Sequence, residues 1–329
     1  MSSPRITGVR PLLGVEGGCL TLSGEGFATD PIPEVRIGAV TAHVLRASSR
    51  ELKLAVPAAL DGGQTAIRLA DVPGESVFVQ IGAPLATGLH QVDGPVFDRD
   101  GNLFVTFSGS RGQQVPVAIY VVRPDGSREP FVSGLPNPTS MAFDPAGRLH
   151  VSSRFDGCVY RIASDGTATV IANDLGVACG IAFDADGVLF VGDRSGTILR
   201  VEDGRAAALA TLPPSVAAFH LALAPDGSLF VTAPTLGTRD AVYRISRQGE
   251  VATFYEGFGR PQGLAFDPQG RLYVVDALAG GGGLFRFDPD RREPEQVIER
   301  GGLVGVAFGP DGAMAVASSE TVYRFSVPA

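Results

Sequence analysis

Three carboxylates of this chain, Asp93, Asp193 and Asp276, could converge on a divalent cation, because a hard ion such as calcium takes several oxygen ligands at once. His220, beside Phe219, could serve as a general base in a pocket. Arg154, Arg194 and Arg239 could hold a carboxylate or phosphate through paired N–H donors. Thr139, Cys179 and Gln262 complete the set as candidate ligand-binding groups. Each type also has a plainer reading. Asp at a strand end caps nearby backbone N–H groups, arginine on a loop forms solvated surface pairs, and histidine in a core packs with its ring satisfied. No known catalytic signature frames any of them: the chain has no G-x-S-x-G elbow, H-E-x-x-H pair, C-x-x-C, phosphate-binding loop or dinucleotide fingerprint.

The elements that must position these residues are announced by a repeat. The phrase Phe97-Asp98-Arg99-Asp100-Gly101-Asn102-Leu103-Phe104-Val105 returns from Phe143, Phe183, Leu223, Phe266 and Phe308. Its glycines, Gly101, Gly147, Gly187, Gly227, Gly270 and Gly312, recur every 40 to 46 residues. Self-similarity at that period is the pattern of a β-propeller, one four-stranded blade per step. Within a step an apolar inner strand leads into a tight Asp-Pro-x-Gly turn, where proline presets φ and glycine accepts a positive one. A second strand follows, then a third of the Val-Tyr-Arg-Ile form, as at Val159, Val242 and Val322, then an outer strand.

The last step, running to a strand over Thr321 to Val327, lacks its outer strand, and an open edge invites aggregation. Pro84-Leu85-Ala86-Thr87-Gly88-Leu89 aligns with the outer-strand segment Pro130-Phe131-Val132-Ser133-Gly134-Leu135. Residues 84–89 are therefore expected to complete the sixth blade and join the ends of the ring. In this register Asp93, Thr139, Cys179, Phe219, Gln262 and Val304 stand just before the inner strands, and Asp193 and Asp276 end second strands. All of these face one mouth. The links at 108–116, 234–240 and 277–282 are longer than the others, and the latter two would wall the mouth on one side, since loops on a rigid scaffold carry specificity.

Residues 4–82 do not share the repeat. Short β segments, among them Cys19-Leu20-Thr21-Leu22-Ser23, Ala42-His43-Val44-Leu45 and Glu51 to Val56, alternate with turns such as Gly17-Gly18, Asp61-Gly62-Gly63 and Pro73-Gly74. That spacing predicts a small sandwich. Ile6-Thr7-Gly8-Val9-Arg10-Pro11, Gly17-Gly18, the run Leu20 to Phe27 and Leu54-Ala55-Val56-Pro57 resemble an IPT/TIG domain, an immunoglobulin-like fold. The resemblance implies a spacer or partner-binding module. The expected organisation is all-β: an immunoglobulin-like sandwich over 1–82 and a six-bladed β-propeller over 83–329, closed by an N-terminal outer strand. The sandwich should hang from the face opposite the mouth, with little linker freedom.

The phrases Gly94-Pro95-Val96-Phe97-Asp98 and Gln262-Gly263-Leu264-Ala265-Phe266-Asp267 resemble six-bladed propellers of the NHL type and of the senescence-marker/gluconolactonase family. In the latter, the resemblance implies, the positions before the inner strands supply a divalent metal with a carboxylate and amides. Asp93 and Gln262 fit that role; Cys179, Phe219 and Val304 do not, and Asp93 replaces the family's usual glutamate.

Composition narrows the partners. The net charge of −8 disfavours nucleic acid, which selects a basic face. No apolar run reaches membrane-spanning length. Cys19, Cys158 and Cys179 are odd in number and form neither a disulfide framework nor a metal spacing. The start, Met1-Ser2-Ser3-Pro4-Arg5-Ile6, has no apolar signal segment, which points to the cytoplasm unless a leader has been trimmed. The first functional expectation is a binding or scaffold protein holding a small ligand or protein partner at the mouth. The alternative is a metal-dependent hydrolase, a lactonase with Asp93 as ligand, with a propeller lyase as a third possibility.

Overall fold

A computed structural model describes residues 4–70, 72, 76–278, 280–288 and 293–326. Val327 and the Pro73-Gly74 turn, both assigned from the sequence, lie outside the described residues. Among the described residues every regular element is a β-strand.

Among the described residues the repeats build six groups of four strands: five are separate four-stranded sheets, and the fifth along the chain, Pro261–Phe266, Leu272–Asp276, Gly283–Phe287 and Glu295–Glu299, continues through Cys19–Glu25 into an eight-stranded sheet. Five follow the chain, as in the first, Val96–Phe97, Leu103–Thr106, Ile119–Val122 and Arg128–Val132. The sixth joins Leu303–Phe308, Met314–Ser318 and Thr321–Phe325 to Ala83–Thr87, which comes from upstream of all the others. Each innermost strand packs against those of the sheets before and after it, and the sixth packs against the first.

Local chemistry explains the sheets. Each of the six repeat glycines, Gly101, Gly147, Gly187, Gly227, Gly270 and Gly312, has a φ between 77° and 85°, a region that costs glycine little. In four of the turns the leading aspartate, Asp98, Asp144, Asp184 or Asp267, accepts from the amide four residues on. Second strands such as Leu149–Ser153 and Met314–Ser318 are buried on both faces, as strands sandwiched between neighbouring sheets must be.

The outer strands share a less obvious device. Each carries a one-residue bulge against its third strand, leaving out Leu85, Phe131, Ile171, Leu209, Phe254 and Val297 in turn. A bulge bends and twists a strand. Leu85 occupies the same place as Phe131, so the upstream segment has the local form of a true outer strand.

Residues 4–81 form two facing sheets. One runs Leu13–Gly14, Val77–Ile81, Gly63–Leu69, Val35–Ile37 and Val40–Ala42; the other joins Arg5–Arg10, Cys19–Glu25, Glu51–Ala55 and Val44–Ala47. Between them lie Val9, Leu20, Leu22, Ile37, Leu52 and Ile67, all buried. The single strand expected around Ala42-His43-Val44-Leu45 is two. The chain leaves one sheet after Ala42 and enters the other at Val44, turning at the exposed His43.

The placement of this unit differs from expectation. It runs along the outer edge of the fifth and sixth sheets and does not hang wholly below the turn face. Cys19 pairs with Glu299 at the mouth end of the fifth sheet's outer strand, Lys53 Nζ lies 2.6 Å from Glu299 Oε1, and Arg300 Nε donates to Glu16 O. The physical reason is Val15, which is fully buried in the core shared by Leu284, Ile298, Tyr323 and Phe325. Burying such a side chain contributes about 2 kcal/mol.

Candidate functional site

The inner strands approach closely at one level of the ring. The residues there are Gly94, Ser140, Gly180, His220, Gly263 and Gly305. A Cβ on Gly305 would lie 2.1 Å from Gly94 Cα, and one on Gly263 would lie 2.7 Å from Gly305 Cα. Only small residues fit where strands crowd so tightly. His220 is the exception, and its imidazole takes the space that the glycines leave.

That imidazole crosses the ring. His220 opens the innermost strand of the fourth sheet, and Asp93 precedes that of the first, three places away in a circuit of six. His220 Nδ1 lies 2.7 Å from Asp93 Oδ1, and Nε2 lies 3.1 Å from Gln262 Oε1. The Gly94 amide also donates to Asp93 Oδ1, and Thr232 Oγ1 donates to the Gln262 carbonyl at 2.5 Å. His220 is 1 % exposed. Burial opposes the charge on Asp93, but attraction to His220 and hydrogen bonds from His220, Ser140 and Gly94 outweigh it and hold the carboxyl below its usual range.

Above this layer opens a cavity of ≈ 710 Å³, within the size range of small-molecule sites. Cys179 and Gln262 line it, with Val304 and Gln91, and the arginines Arg154, Arg194 and Arg260 line it too. None of its lining residues is acidic. Burial pushes the Cys179 thiol up to about 11, so it stays protonated at neutral pH. Arg154 is half-buried; burial, with repulsion from Arg111 and Arg194, lowers its pKa, although a guanidinium keeps its charge in any protein.

The structure therefore brings Cys179, Gln262, Arg154 and Arg194 to one cavity, joins Asp93 to His220 beneath it, and places the remaining candidates elsewhere. Arg239 lines a different surface cavity of ≈ 640 Å³ with Thr235, Leu236 and Asp240. Thr139 is buried, its hydroxyl donating to the Asn137 carbonyl. His220 does not line the mouth cavity, and both its ring nitrogens are engaged. Asp193 accepts from the Val177 amide and the Ser195 hydroxyl. Asp276 accepts from the amides of Gly259, Arg260 and Leu278. These two carboxylates hold loops, the plainer role for aspartate at a strand end.

Among the described residues no three His, Cys, Asp or Glu side chains are grouped to hold a metal ion. The donors also fit a calcium-type ion poorly. Asp93 and Gln262 Oε1 are both committed to the His220 imidazole, the Thr139 hydroxyl donates to Asn137, and Cys179, Phe219 and Val304 offer no side-chain oxygen, whereas a hard cation needs converging oxygens. Two polar lining residues escaped the sequence reading, Arg260 and Gln91. Their signal was register alone: Arg260 stands two residues before Gln262, and Gln91 two before Asp93.

No protein-family model and no curated protein matches the chain. Solved structures do. An auxiliary nutrient binding protein from Bacteroides thetaiotaomicron is 13 % identical over 98 % of this chain and 97 % of its own, with a TM-score of 0.58. A gluconolactonase from Xanthomonas campestris is 16 % identical over 75 % of this chain and 89 % of its own, with a TM-score of 0.60. Virginiamycin B lyase from Staphylococcus aureus is 15 % identical over 74 % of this chain and 96 % of its own, with a TM-score of 0.51. With the sheet circuit, these likenesses define the repeat region as a β-propeller; at such identities they speak to fold and not to activity. Among the described residues no helix is long and apolar enough to cross a membrane.

Proposed function

We propose that this chain is a small-molecule-binding protein: an immunoglobulin-like module docked on a six-bladed propeller, with the ligand held in the mouth cavity. One observation carries the reading. A cavity of ligand size, ringed by residues from around the circuit, sits on a floor whose polar groups are already committed to one another. Binding needs such a preorganised, static floor, whereas acid–base catalysis needs a group free to exchange protons with a substrate. The likeness in length to a nutrient binding protein agrees with this reading.

The lactonase reading is weaker, because Asp93 would have to leave His220 to bind a cation. In the binding reading, EDTA leaves the melting temperature unchanged and a lactone panel is not turned over. The positive test is native mass spectrometry after incubation with a mixture of small metabolites. Wild type retains a ligand, and Ala218→Trp, which fills the cavity, loses it. Equal retention by both proteins, or lactone turnover abolished by EDTA, overturns the proposal.

A further inference from the structure

The mouth cavity is positively charged in a protein of net charge −8. Arg154, Arg194 and Arg260 line it, and none of the three forms an ion pair among the described residues. The side-chain hydrogen bonds of Arg154 and Arg194 go to neutral groups. Arg154 Nη2 is 3.4 Å from the Gly109 carbonyl, and Arg194 donates to the carbonyls of Ser215 and Val216 at 3.2 and 2.8 Å. Carbonyls orient a guanidinium without neutralising it, so three like charges stand round one space. Arg154 is half-buried as well, and a buried cation without a counter-ion is costly. Eight arginines elsewhere among the described residues do form ion pairs, as Arg271 does with Asp267 at 2.6 Å and Arg244 with Asp226 at 2.6 Å. The rest of the lining is largely apolar, including Val177, Val216, Leu278 and Leu303.

We infer that the ligand of this cavity is a small organic anion, a carboxylate or phosphate on an apolar body, with Arg154, Arg194 and Arg260 as its counter-charges. The inference rests on the mouth being the binding site and adds the chemical class. The anionic end meets the guanidinium forks, which suit planar oxyanions. The apolar end lies on the valine and leucine surface. Gln262, held through Oε1 by His220, is left to offer its amide N–H groups to the same ligand.

The test uses three matched probes on the full chain in a chloride buffer: phenylacetate, phenyl phosphate and neutral phenylacetamide, followed by calorimetric titration. At least one anion binds saturably and more tightly than the amide by about tenfold or more, and the better anion tells carboxylate from phosphate. Raising salt from about 50 to about 500 mM weakens the anion and not the amide. The double variant Arg154→Gln/Arg260→Gln loses about tenfold for the anion, and Arg154→Lys alone loses less than Arg154→Gln alone. If phenylacetamide binds as well as both anions and the arginine variants change nothing, the anion inference fails while binding at the mouth survives. If no probe binds at millimolar concentration, both readings fail.

Discussion

His220 Nδ1 lies 2.7 Å from Asp93 Oδ1, and the two residues come from opposite sides of the ring. The pair is thus a cross-brace: it ties the first sheet to the fourth, with Gln262 adding the fifth. Because His220 is almost wholly buried, removing its partner strands a polar ring in the interior. Asp93→Ala should cost about 3 kcal/mol in urea unfolding at neutral pH. Asp93→Asn keeps the shape and removes the charge. Since the folded pKa of Asp93 is depressed, its charge stabilises above the ordinary carboxyl pKa and ceases to do so as pH falls through the folded value. The deficit of Asp93→Asn should therefore be full from about pH 5 to 7 and shrink below about pH 4. A deficit that is constant into acid would mean that the charge contributes nothing.

The closing strand gives a second prediction. Ala83, Pro84, Ala86 and Thr87 pair with Arg324, Tyr323, Val322 and Thr321. Deleting residues 83–90 should lower the calorimetric melting temperature sharply, because the sixth sheet would lose its outer strand. Ala86→Pro, which introduces a ring beside a buried third strand, should do the same to a smaller extent. An unchanged melting temperature in the deletion would refute closure by this strand.

His150 sets a pH limb of its own. It is buried beside Phe183, with Nε2 3.1 Å from Asp144 Oδ2 and Nδ1 without a partner. Burial lowers its pKa, and the opposing pull of Asp144 does not recover the loss. The unfolded chain then binds a proton that the folded chain refuses, so stability should fall as pH drops below about 6.5. His150→Gln should flatten that part of the profile in urea melts between about pH 7 and 5. An identical slope in both proteins would rule the residue out as its source.

Asp276 offers a test of loop holding. It is buried and caps three amides, including that of Arg260 at 2.7 Å. Asp276→Ala should cost about 3 kcal/mol, since hydrogen bonds to a charged acceptor are among the stronger ones. It should also weaken anion binding by loosening Arg260, while adding EDTA to wild type changes neither quantity. Full stability in Asp276→Ala would show that the loop is held by other contacts.

Much of the architecture was legible because it repeats. Six glycines at turn positions and the alternation in Val159-Tyr160-Arg161-Ile162 name strands and turns through local sterics and burial. The outer-strand likeness of Pro84-Leu85-Ala86 to Pro130-Phe131-Val132 was legible for the same reason, and both segments bulge at the apolar residue. The split at His43 was not, because one alternating run serves either sheet until the chain must turn between them. Nor was the docking edge, since nothing in Val15 itself says which cleft will bury it.

Most strands and turns, the closing segment and the register that puts Cys179 and Gln262 at one mouth are legible in the chain alone, because these follow from local conformational preference and from period. The packed fold settles which polar groups pair. It joined His220 to Asp93 across 127 positions of chain, spent Asp193 and Asp276 on loop amides, moved Arg239 to another cavity and brought in Arg260. Pairing depends on distances of a few ångström set by how sheets pack around the axis, and no one-dimensional pattern contains those distances.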